Sequence, residues 1–160
     1  MSTTVKKGQQ EEETLEIKKS IVIDASPEVV FKAITDPDEL TQWFPDQAIL
    51  EPKIGGKVRF STFNENHPSK VDRDYIMEGT IKELVLNKKL SYTWRFKDLP
   101  GFPETTVVWQ LENLDANKTK VELTHFGFTG KEKGMKSLES HDRGWTEVLN
   151  KLAKYCLARK

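Results

Sequence analysis

At 160 residues the chain has the length of one domain and can bury a core without disulfide or metal staples, and its one cysteine excludes an internal disulfide. Twenty-five Lys and Arg balance twenty-five Asp and Glu, so no global field draws the protein to nucleic acid or to an anionic membrane. No apolar run nears the roughly 18 residues that span a bilayer, and the opening MSTTVKKGQQEEE has no apolar signal-peptide stretch, so a cytoplasmic protein without a membrane span is expected.

Residues 1–12 are polar, a basic pair followed by an acidic run, and are expected to form a disordered tail ahead of one domain over residues 13–160. From Thr14, the residues Leu15, Ile17, Lys19, Ile21 and Ile23 alternate with Glu16, Lys18 and Ser20, the period-two pattern of a half-buried strand. Ser26 then suits a helix cap and Pro27 its first position, with Val29, Val30, Ala33 and Ile34 on the buried face until Asp36-Pro37 stops the helix. A second helical turn over residues 38–43 ends in the bulky pair Trp43-Phe44 before Pro45.

Six strands follow in the pattern. Residues 47–51 form a short one, 52–56 a turn, 57–63 a strand with Val58 and Phe60 on one face, and 64–70 a polar loop. Residues 75–86 alternate through Tyr75, Met77, Gly79 and Ile81, and a tight connection at Asn87-Lys88 leads into residues 89–96. There Leu90, Tyr92, Trp94 and Phe96 face one way and Ser91, Thr93 and Arg95 the other, which should meet water. After a loop at 99–103, residues 105–114 place Val107, Trp109 and Leu111 on one side, and residues 119–126 group Val121, Leu123 and His125.

Residues 137–160 read as one amphipathic helix of about 36 Å, long enough to cross a small domain. Its stripe is Leu138, His141, Trp145, Val148, Leu149, Leu152, Tyr155 and Cys156. A strand, two short helices, more strands and a long helix specify an α+β fold: a curved antiparallel sheet covered on one face by the C-terminal helix.

DASPEVVFKAITDPDELTQWF at 24–44, the Gly55-Gly56 turn ahead of a strand, and HDRGWTEVLNKL at 141–152 together resemble the heat-shock-protein-90 ATPase activator homologue family, in the START-like (SRPBCC, helix-grip) superfamily. The resemblance implies a sheet gripping the last helix, with a mostly apolar cavity between them for a lipid-like or aromatic small molecule. It also implies, as an alternative, a co-chaperone that stimulates the chaperone's ATPase in the stress response.

On that reading the cavity walls are Trp43, Phe60, Met77, Tyr92, Trp94, Trp109, His125, His141 and Trp145, with Trp43 at the mouth and the two histidines as polar anchors. Each also has a core reading, since large aromatics are usually core and a histidine on an apolar stripe is more often a hydrogen-bonded interior residue than a ligand. A cyclase- or hydrolase-type enzyme using His141 or Tyr92 as acid/base would need a positioned partner group, and the sequence shows isolated candidates. No His/Cys/Asp/Glu spacing suggests a metal, and no glycine loop or nucleophile elbow suggests a cofactor or a serine hydrolase. Cys156 reads as a small core hydrophobe, and Asp142 as a surface or helix-start residue.

Overall fold

A computed structural model describes residues 3–6, 14–62, 75–97, 103–131 and 138–159. Eight strands form one antiparallel sheet: β1 (Thr3–Lys6), β2 (Thr14–Ile23), β3 (Gln47–Leu50), β4 (Lys57–Thr62), β5 (Tyr75–Val85), β6 (Lys89–Phe96), β7 (Thr105–Asp115) and β8 (Lys118–Phe128), in the spatial order β1-β2-β8-β7-β6-β5-β4-β3. Two short helices, α1 (Pro27–Thr35) and α2 (Pro37–Trp43), follow β2, and α3 (Leu138–Leu157) closes the fold. This is the helix-grip architecture that the pattern of elements predicts.

The short helices are made by their caps. Ser26 Oγ accepts from the Val29 amide at 3.3 Å and Pro27 opens α1. Asp36 serves twice: its amide closes α1 on the Lys32 carbonyl, and its carboxylate accepts from the Asp38 amide at 2.9 Å to start α2.

Cross-strand pairing lines up the inner face in rows, so that Ile81, Tyr92, Val107, His125 and Ile17 lie side by side across five strands. A neighbouring row runs Leu90, Trp109, Leu123, Lys19. Against these α3 buries Leu138, His141, Trp145, Leu149, Leu152 and Cys156, six of the eight residues on the predicted stripe. Among the strands α3 brings its backbone closest to β2, and large side chains span the widening space towards β6 and β7. Among the described residues no helix is long and apolar enough to cross a membrane.

Three expectations need correction. Residues 1–12 are not all tail, because Thr3–Lys6 pair antiparallel with β2 from Thr14 to Ile17, completing backbone hydrogen bonds that an edge strand would otherwise leave to water. The outer face of β6 is not wholly wet: Ser91 and Thr93 are only 3 % and 7 % exposed. The Thr80 amide donates to Thr93 Oγ1 at 2.9 Å, and the pairing of β5 with β6 shifts register between Ile81 and Glu83, which draws these side chains in. Asp142, near the start of α3, is half-buried and not on the open surface, its Oδ1 3.1 Å from Lys19 Nζ on β2, with the lysine side chain only 9 % exposed. The rest of the expected tail, the loops at 64–70 and 99–102, and the helix ends Ser137 and Lys160 lie outside the described residues.

Candidate functional site

All nine predicted wall residues are buried. Eight of them pack together between the sheet and α3: Trp94, Trp109, His125, His141 and Trp145 at the centre, and Tyr92, Phe60 and Met77 towards β4 and β5. Trp94 and Trp145 have ring centroids 5.3 Å apart, and His125 and His141 also 5.3 Å. Trp43 lies at the edge, its indole N–H donating to the Ala33 carbonyl of α1 at 3.1 Å and its ring stacked on Phe44 with centroids 5.6 Å apart.

The neighbouring Phe44 is the residue that enters the cluster, 5.5 Å from Phe60 and 6.5 Å from Trp145 between ring centroids, and it is half-buried where the mouth was assigned to Trp43. Phe44 is the cap residue that follows α2, outside helical geometry at φ −128° and ψ −88°, and its ring lies edge-on to Phe60. Phe128 also belongs to the cluster, 4.7 Å from His125 and 5.2 Å from His141. Strict alternation from His125 would turn Phe128 outward. Gly127, at φ +109°, is the extra residue where the register with β2 shifts, and it turns Phe128 back inward.

The chain's four tryptophans all spend their indole N–H groups internally. Trp94 donates to His141 Nε2 at 3.3 Å, Trp109 to Tyr92 Oη at 3.1 Å, and Trp145 to His125 Nδ1 at 2.9 Å. Because Nδ1 of His125 accepts, its proton sits on Nε2, which donates to Thr105 Oγ1 at 2.7 Å, and Thr105 in turn donates to the Trp94 carbonyl at 3.2 Å. The relay requires a neutral imidazole. Burial, and secondarily the neighbouring His141, hold the His125 pKa well below the ordinary histidine value. Burial likewise pushes the Tyr92 hydroxyl well above its ordinary value, so it stays protonated at neutral pH and can donate but not serve as a base.

At the far end of α3, Tyr155 Oη donates to Glu39 Oε1 at 3.0 Å, and Lys32 and Arg159 approach Oε2 at 3.5 and 3.6 Å, tying α1 and α2 to the helix. Cys156 lies buried beside this group, and burial, with Glu39 next, pushes its thiol up to about 12, which leaves it unreactive at neutral pH. Among the described residues no group of three or more His, Cys, Asp or Glu is placed to hold a metal. An open groove of about 720 Å³ lies between the start of α1 and the β5–β6 hairpin, lined by Pro27, Val85, Leu86 and Leu111 among others, and shares no residue with the aromatic cluster.

A curved sheet around a long helix, with an aromatic interior between them, defines a START-like helix-grip protein. The match of residues 24–156 to the family model "Activator of Hsp90 ATPase homolog 1-like protein" shows that the chain belongs to that family. It is similar in structure to protein CV1439 from Chromobacterium violaceum, with 22 % identity and a TM-score of 0.73 over 88 % of this chain and 96 % of that one. It is also similar to PFC0360w, an HSP90 activator from Plasmodium falciparum, with 26 % identity and a TM-score of 0.67 over 84 % and 91 % of the two chains. The Aha1 dimer from Colwellia psychrerythraea is similar at 22 % identity and a TM-score of 0.66, over 88 % and 95 %. Comparison with curated proteins finds no match.

Proposed function

We propose that this protein binds an apolar or flat aromatic small molecule between the sheet and α3, against Trp94, Trp109 and Trp145. One observation carries the reading: α3 lies close to β2 but is separated from β6 and β7 by a space that ring side chains span. The indole N–H groups are already bonded, so these walls offer a ligand ring faces and edges rather than unsatisfied polar tips. Walls held by their own hydrogen bonds also lose little freedom when a ligand arrives, which removes part of the usual cost of binding. Half-buried Phe44, touching Phe60 and Trp145, is the side chain whose rotation would admit the ligand.

A thermal-shift screen with fatty acids, sterols, flavonoids and polyketide-like compounds tests the reading. At a hundredfold excess over the dissociation constant a true ligand stabilises the fold by about 2.7 kcal/mol. The effect should weaken in His141→Ala, and native mass spectrometry of freshly purified protein should show an added small-molecule mass. An empty screen together with a bare mass would overturn it.

A second reading is favoured by the 26 % identity to the Plasmodium falciparum HSP90 activator, which spans 84 % of this chain: stimulation of a heat-shock-protein-90 ATPase. Adding the purified protein to the chaperone and following ATP hydrolysis decides it, and an unchanged rate at saturating protein removes it.

A further inference from the structure

Tyr92 lies on the inner face of β6, 2 % exposed, beside Phe60 and Trp109. Its oxygen accepts the Trp109 indole N–H at 3.1 Å, and that is its one hydrogen bond, so among the described residues its own proton has no acceptor. The neighbouring hydroxyl of Thr105, by contrast, is engaged both ways, accepting from His125 and donating to the Trp94 carbonyl. A buried donor left unmatched is costly, so an occupant that supplies an acceptor recovers that cost. Building on the ligand reading above, we propose that the Tyr92 hydroxyl is the polar anchor of the site and that the ligand is a neutral molecule presenting a carbonyl-type acceptor from a flat apolar frame.

Neutrality follows from the surroundings. Among the described residues the Tyr92 hydroxyl has the uncharged Trp109 indole as its hydrogen-bond partner. Lys19, on the inner face of β2, is already paired with Asp142, and His125 is held neutral. A carboxylate brought to Tyr92 would lose its hydration with no counter-charge among the described residues to replace it.

The test uses three probes of one shape: 9-fluorenone, fluorene and fluorene-9-carboxylate. Fluorenone should bind the wild-type protein roughly tenfold more tightly than fluorene, the ratio expected for one hydrogen bond, and the carboxylate should bind most weakly. In Tyr92→Phe the preference for fluorenone over fluorene should vanish while both still bind. Because Tyr92→Phe also leaves the Trp109 N–H without an acceptor, a second readout is taken on the wild-type protein. The carbonyl stretch of fluorenone bound to the wild-type protein should fall below its frequency in an alkane, and an unshifted stretch would overturn the anchor. Equal binding of fluorenone and fluorene, a preference that survives in Tyr92→Phe, or tight binding of the carboxylate would each overturn the anchor while leaving the cavity reading standing. Failure of both neutral probes to bind the folded wild-type protein would overturn the anchor and count against the cavity as well.

Discussion

His125 shows how much one side chain can settle. An indole N–H on one nitrogen and a hydroxyl on the other leave a single tautomer, and protonation would set two donors, Nδ1–H and the Trp145 N–H, against each other. Folding therefore favours the neutral ring. The unfolded chain takes up a proton near pH 6.5 and the folded one only well below that, so this group's contribution is complete above about pH 6.5 and is lost as pH falls towards the depressed folded value, at up to about 1.4 kcal/mol per pH unit. Denaturant titrations between pH 7.5 and 5 should show that slope, and His125→Gln should flatten it by up to one proton, whereas an unchanged slope would mean the ring is not neutral in the fold. Trp145 offers a graded companion test in thermal denaturation. Trp145→Phe keeps a ring but orphans Nδ1 of His125 and should cost about 1–3 kcal/mol, while Trp145→Ala also opens a cavity and should cost about 3–5 kcal/mol.

At the scale of elements, the fold depends on places where a strand departs from ideal. A Cβ at Gly79 would collide with the Thr93 carbonyl, which is backbone and cannot swing aside, so Gly79→Ala should cost upwards of about 3 kcal/mol and shift the urea midpoint accordingly. Lys19 and Asp142 join β2 to the N-terminal part of α3, although Asp142 Oδ1 has no well-angled hydrogen-bond donor. Removing either partner leaves a largely desolvated charge, so Lys19→Met and Asp142→Leu should each destabilise by about 1–3 kcal/mol, and the double variant should recover most of the loss; additive losses would contradict the pairing. These departures are also what alternation cannot reveal. The inner face of β6 was legible because Leu90, Tyr92 and Trp94 keep strict period two. Phe128 was not, because one residue at positive φ, Gly127, resets the phase. Phe44 was obscured because Trp43 and Phe44 are equally apolar and only the direction of α2 decides which one faces the sheet.

Over the whole molecule, architecture was readable in the sequence and the inner chemistry less so. Strand periods, capping residues and a 20-residue amphipathic stripe specify a sheet closed on one helix, since each element has one apolar face to bury. Which nitrogen meets which indole depends on tertiary distances that no periodicity encodes. The central claim is that the space between the sheet and α3 takes a ligand, and the four tryptophans report on it directly, three lining that space and Trp43 turned towards α1. The decisive measurement is a titration of 15N-indole-labelled protein, by nuclear magnetic resonance, with the compound that most raises its melting temperature. The indole signals of Trp94, Trp109 and Trp145 should move together and saturate; movement of Trp43 alone, or of no indole signal with any compound, would contradict the account.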